Sequence, residues 1–190
     1  MRRIVLRYGL ASGAVLLLLA AIVLPLCLSG VVDFDNSEIA GYSVMVLAFL
    51  LVFAGIRSYR NTVGGGAITF GKAFQVGILI TLITCAVYVV AWEITYFFFY
   101  PEFFDQYSAH VLDKMRAAGE SQAAILKTTE SMAKMGKLYT NPLWNSAITF
   151  MEVFPVGLIV TLVSAAILRR KPGAPGPTRS ADPRRAAAAG

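Results

Sequence analysis

Apolar residues run almost unbroken through four stretches of the chain, at 4–28, 39–56, 73–100 and 143–168. A helix needs roughly 20 apolar residues to cover a ~30 Å hydrocarbon core, and each stretch comes close to that or exceeds it. The second is the shortest and would cross with little tilt. The pattern predicts an all-α integral membrane protein with four transmembrane helices, in one domain spanning residues 1–171.

Between the third and fourth stretches the pattern changes. Phe104, Tyr107, Val111, Met115 and Ala118 recur at helical spacing, and Ile125, Thr129, Met132 and Met135 do so again after Gly119-Glu120. This predicts an external cap of two amphipathic helical segments at about 102–137, packed on the spans. From residue 172 to 190 the chain is rich in Pro, Ala and Arg and has no periodicity, which predicts a disordered cytoplasmic tail.

Composition agrees with this picture and charge orients it. Of 190 residues, 57% are hydrophobic and only 15% charged, too little polar surface for an ordinary soluble domain. The net charge of +6 would suit a nucleic-acid partner, but the basic residues sit beside apolar stretches instead of forming a free patch, so nucleic acid is not expected. Arg2, Arg3 and Arg7 precede the first span, Asp33, Asp35 and Glu38 follow it, Arg57, Arg60 and Lys72 surround the next turn, and Arg169, Arg170 and Lys171 close the last span. By the positive-inside rule both termini are cytoplasmic. That alternation also favours an uncleaved first span over a signal peptide. Tyr8 and Tyr59 at one face, and Trp92, Tyr96, Tyr100, Tyr139 and Trp144 at the other, are expected to form interfacial belts.

The motifs carry little chemistry. GAITFGKA at 66–73 has the G-x4-G-K spacing of a phosphate loop, but Ala73 replaces the required Ser or Thr, and two membrane spans flank it. A mechanical role fits better: Gly64-Gly65-Gly66 makes a turn and Thr69 caps the third span. Arg57, Arg60 and Lys72 beside that helix end are candidate contacts for anionic lipid. Small residues at four-residue spacing, Gly9 and Gly13, Gly77 and Thr81, then Gly157, Thr161 and Ala165, predict close helix packing inside the bundle. His110 is the lone histidine, without neighbours for a zinc site or a hydrolytic triad, and is expected to be a solvated helix residue. Cys27 and Cys85 differ in depth by about 10 Å, too far for a disulfide, and are expected as free thiols. No catalytic residue, metal or cofactor is predicted.

Two acids remain. Glu93 and Glu152 lie inside the third and fourth spans, where a carboxylate costs at least ~2.5 kcal/mol. Measured from the span middles, both fall in the outer half, roughly one turn or less apart. Tyr96 and Tyr100 share the Glu93 face, and Asn145 and Thr149 share the Glu152 face. The pair could share a proton, bind a cation together, or form interhelical hydrogen bonds as structural glue.

Four stretches in order, GIRSYR at 55–60, ITFGKAF at 68–74, Asn141-Pro142, and ITFMEVFPVGLIVTLVSAAILRRK at 148–171, resemble a bacterial membrane-protein family catalogued as domain-of-unknown-function family 4199. The resemblance covers most of residues 1–171 and takes in Glu152. It implies a small four-span protein of the bacterial cytoplasmic membrane and no particular activity. The leading expectation is a non-enzymatic structural or accessory component. The alternative is a small transporter or ion- or proton-coupled protein using Glu93 and Glu152. Membrane lipids are the expected partners, together with a second copy of the chain or another membrane protein.

Overall fold

The structure is a computed structural model that describes residues 1–28 and 34–170, with side chains omitted at 24, 27, 28 and 34–38. Asp33, the side chains of Cys27, Asp35 and Glu38, Lys171 and the 172–190 tail therefore lie outside the described residues.

Six helices account for nearly all of it: α1 (Arg2–Leu28), α2 (Phe34–Thr62), α3 (Phe70–Phe98), α4 (Phe103–Ala117), α5 (Gln122–Tyr139) and α6 (Pro142–Leu168). Four of them, α1, α2, α3 and α6, are long and apolar enough to cross a membrane. Helix α2 runs past the apolar stretch at both ends, because a helix continues through Arg57 and Arg60 as readily as through Leu once their heads reach water. Helix α3 starts at Phe70, where the Thr69 side chain accepts a hydrogen bond from the Lys72 amide at 3.3 Å. Asn141 caps α6 in the same way, followed by Pro142 in the first turn. The α2–α3 turn needs Gly65 and Gly66 at positive φ, 57° and 87°.

The four long helices run up and down around a square, with α1 beside α2 and α3, and α6 beside α2 and α3; α2 and α3 also touch across the diagonal. Glycines bring the backbones together. A Cβ on Gly9 would lie 2.8 Å from Ile83, one on Gly13 2.8 Å from Val87, and one on Gly157 2.5 Å from Thr81. The four-residue spacing of small residues therefore serves contacts within the bundle. Between these contacts run buried polar bonds: Ser12 Oγ donates to the Ala48 carbonyl at 2.8 Å, and Thr81 Oγ1 and Thr161 Oγ1 share a bond of 2.8 Å.

Helices α4 and α5 form the hairpin between α3 and α6, turning at Gly119 with φ 72°. Ser121 caps α5 by accepting from the Ala124 amide at 3.3 Å. On α4 the more covered positions include Phe104, Tyr107, Val111 and Met115, whereas Ala118 is exposed. On α5 they include Ile125, Thr128, Met132 and Tyr139, and both Thr129 and Met135 are exposed. That face is rotated from the expected one because Gly136 and Tyr139 dock on Phe104. The Phe104 ring lies 3.3 Å from where a Gly136 Cβ would be and stacks on Tyr139 at 4.8 Å.

Candidate functional site

One antiparallel register between α3 and α6 organises the hairpin end. Gly77 faces Thr161, Thr81 faces Gly157, Trp92 meets Asn145 and Glu93 meets Ser146. Asn145, completely buried one turn into α6, is the hub. Its Oδ1 accepts from Trp92 Nε1 at 3.0 Å and from Thr149 Oγ1 at 3.3 Å, and its Nδ2 donates to the Tyr139 carbonyl at 3.1 Å. Three helices, α3, α5 and α6, are joined through this one side chain.

Aromatic rings pack around the hub. Trp92 meets Phe103 edge-on at 5.4 Å, and Tyr96 lies 5.9 Å from Tyr139. Tyr96 is buried, and Trp92 and Tyr139 are partly so. Of the expected outer belt, Trp144 and Tyr100 are exposed, while Trp92, Tyr96 and Tyr139 turn inward. Tyr59, assigned to the opposite belt, is also buried. Membrane-edge aromatics and hairpin-docking aromatics carry the same sequence signal, and here docking wins. Burial pushes the Tyr139 phenol above its usual range, and the neighbouring Glu152, Tyr96 and Tyr107 push the same way.

Beneath the hairpin is a partly open chamber of about 820 Å³, walled by α1, α2, α3 and α6 and bordered by Phe103, Phe104 and Tyr139. Among the described residues its lining is apolar and aromatic apart from a few hydroxyls and one charge, Glu152. Glu152 is exposed and makes no hydrogen bond or ion pair among the described residues. Tyr88 and Tyr139 lie within its electrostatic reach. Pro25 and Ala21 line the opposite wall, and Pro25 removes the N–H that would otherwise satisfy the Ala21 carbonyl.

Glu93 is elsewhere. Its Oε1 accepts from Ser146 Oγ at 2.9 Å, and it does not line the chamber. Six residues along α6 separate Ser146 from Glu152, about 9 Å along the axis and about 120° around it. The α3–α6 register sets Glu152 about level with Ala86 instead, within a turn of Tyr88. The two acids are therefore farther apart than one turn and do not meet. Their grouping into polar stripes changes too. Glu93 pairs with Ser146 rather than Tyr96 or Tyr100, and Asn145 accepts from Trp92 and Thr149, with neither Asn145 nor Thr149 bonded to Glu152. Depth counted from span middles misses this, because the close glycine contacts, not the span centres, set the register.

At the opposite end of the bundle, the chain after the α2–α3 turn pairs with the end of α6. The Ile68 amide donates to the Arg170 carbonyl at 3.0 Å, and the Arg170 amide returns a bond to Ile68 at 2.8 Å. Arg60 Nη1 reaches the Leu168 carbonyl at 3.5 Å, Lys72 Nζ donates to Gln75 at 2.9 Å, and Arg57 is exposed. His110 is partly buried in the hairpin rather than solvated, and Cys85 is a buried free thiol. Among the described residues no group of three His, Cys, Asp or Glu side chains could hold a metal.

Residues 7–170 match the model of a family described as protein of unknown function, DUF4199. The chain belongs to the DUF4199 family. No curated protein and no solved structure matches it. The DUF4199 region takes in the Asn145 hub, Glu93, the chamber with Glu152, and the isolated bridge between Ile68 and Arg170, and it begins after Arg2 and Arg3. Ser146, Tyr88 and Tyr139 complete this geometry and are invisible as site residues in the sequence. Their only signal is the small-residue register: with Thr81 set against Gly157, Glu152 falls opposite Ala86, within a turn of Tyr88.

Proposed function

We propose that this DUF4199 protein is a non-enzymatic accessory component of the bacterial cytoplasmic membrane, multi-pass, with both termini in the cytoplasm. The observation that carries the reading is how its intramembrane polar groups are used. Glu93, Asn145, Thr81 and Ser12 are each bonded to a neighbouring helix. Groups held this way act as glue between helices and are not free to touch a reacting molecule. Charge supports the orientation. Arg2, Arg3, Arg7, Arg57, Arg60, Lys72, Arg169 and Arg170 gather at one end with no acidic residue among the described residues there, whereas the hairpin carries both signs. Anionic lipids are the partners this end would take, with Arg57, Arg60 and Lys72 as contacts.

The test has two parts. In a Cys27→Ser, Cys85→Ser background, a cysteine placed by Lys127→Cys should react with a membrane-impermeant maleimide in intact cells, and one placed by Arg57→Cys should not; the reverse pattern overturns the orientation. Glu93→Gln should keep near-native stability, because the amide still accepts from Ser146, and Glu93→Leu should lose about 0.6–1.7 kcal/mol, the range of one interhelical bond. Equal stability of the two variants would remove the structural role of Glu93. The chamber favours a second reading, an ion- or proton-coupled transporter using Glu152. Flux in liposomes that survives both Glu152→Gln and Glu93→Gln counts against it.

A further inference from the structure

We infer that the chamber beneath the α4–α5 hairpin binds a hydrophobic organic monocation, with its positive centre held by Glu152 and its apolar body against α1 and α2. The inference goes beyond the accessory role and does not require transport.

Size comes first. About 820 Å³ falls in the ~300–1,000 Å³ range of sites that enclose small organic ligands. The lining is mostly apolar, as such sites are, with a few convergent polar groups. Charge then selects the ligand. Among the described residues Glu152 is the one charged side chain in the lining, and no Lys, Arg or His joins it. An anion would meet a carboxylate and no compensating cation. A neutral apolar molecule would strip water from the carboxylate and return nothing. A bare metal ion would find too few ligands, since no cluster of three acidic, His or Cys side chains exists among the described residues.

A cation whose charge is spread over an organic framework meets none of these objections. Tyr88 and Tyr139 stand within electrostatic reach of Glu152, and Trp92 lines the same wall. Aromatic faces beside a carboxylate attract ammonium-type ions, worth ~0.5–2 kcal/mol per ring depending on desolvation. The same positive group could be carried by a free amphiphilic amine or by an ethanolamine lipid headgroup. No basic side chain lines the chamber among the described residues, which gives a headgroup phosphate no partner there and favours the free amine.

The full-length protein in phosphatidylcholine nanodiscs should bind tetraphenylphosphonium saturably, one per chain, measured by equilibrium dialysis. Tetraphenylborate, with the same shape and the opposite charge, should bind at least about tenfold more weakly. Glu152→Gln should weaken tetraphenylphosphonium binding by about tenfold or more, and Glu93→Gln should leave it unchanged because Glu93 lies outside the chamber. Ala91→Phe, which fills the chamber while keeping Glu152, should abolish binding and serves if Glu152→Gln fails to fold. Added phosphatidylethanolamine that competes with tetraphenylphosphonium in the wild type, and not in Glu152→Gln, assigns the site to the lipid headgroup; no competition assigns it to free amines. Equal binding of the two probes, or native tetraphenylphosphonium affinity in both Glu152→Gln and Ala91→Phe, overturns the inference. Cation binding without flux would leave it standing while removing the transport reading.

Discussion

Breaking the Asn145 hub tests whether the hairpin is held to the bundle by hydrogen bonds or by ring packing alone. Asn145→Ala removes an acceptor from Trp92 Nε1 on α3 and a donor from the Tyr139 carbonyl on α5. The Thr149 hydroxyl loses a partner too, but it can turn to a carbonyl of its own helix, so two bonds decide the cost. Interhelical bonds inside membranes average ~0.6 kcal/mol and reach ~1.7, which puts the loss at about 1–3 kcal/mol before any cavity term. A double-mutant cycle removes that cavity term. Trp92→Phe keeps a ring against Phe103 and deletes only the N–H, so its coupling with Asn145→Ala isolates the single bond at about 0.6–1.7 kcal/mol. Unfolding in mixed micelles, followed by circular dichroism, supplies the four stabilities. Hydrogen exchange should show α4 and α5 opening first in Asn145→Ala, since the bond to Tyr139 ties the end of α5 to α6. Coupling within ~0.3 kcal/mol of zero would mean that the hub contributes nothing and that the aromatic stack alone docks the hairpin.

Other outcomes follow from the same geometry. Gly157→Val should cost about 1–3 kcal/mol, because a Cβ there would lie 2.5 Å from Thr81 and 2.7 Å from the Phe49 ring, both fully buried; Gly71→Ala meets nothing within 4 Å and should cost nothing, and equal stability of the two variants would refute the close-packing account. Because the Tyr139 phenol is raised in the fold, its neutral form is favoured there. Its contribution is therefore complete below the ordinary tyrosine pKa of ~10 and is lost as pH climbs beyond it. Tyr139→Phe should flatten that alkaline loss of stability, and an unchanged alkaline limb would show that other groups cause it. Glu152→Leu should raise the stability of the ligand-free protein by up to about 2.5 kcal/mol, since it removes a carboxylate with no hydrogen-bond partner among the described residues; a loss of stability would reveal a structural partner for Glu152.

The long helices were legible because burial in hydrocarbon needs about twenty apolar residues, and that signal is local. Thr69, Ser121 and Asn141 are equally local, and each caps the helix that follows it. The rotation of α5 was not legible, because it depends on a ring from α4: Phe104 settles on Gly136, and the packed face turns accordingly. Inward and outward aromatics look alike in sequence for the same reason. Trp92 and Trp144 both lie near a span end, and what distinguishes them is the Asn145 acceptor and the Phe103 ring that meet Trp92. The separation of the two acids lies between these cases. Depth counted from span centres brings Glu93 and Glu152 together, but Gly77-x3-Thr81 set against Gly157-x3-Thr161 moves them apart.

That register also explains why two acids in adjacent spans come to different uses. Glu93 lies five residues from the end of α3, about 7.5 Å from the helix terminus, and Ser146 offers it a hydroxyl. Its cost is lowered by shallow position and offset by a bond, and no ligand is needed to account for it. Glu152 lies ten residues into α6, about 15 Å deep, with no bond among the described residues and an open volume before it. An acid that deep, with no hydrogen-bond partner among the described residues at a position where Leu or Phe would pack as well, is poorly explained as glue. The chamber supplies the missing half of the account: an organic cation bound there would offset the charge that no described side chain offsets.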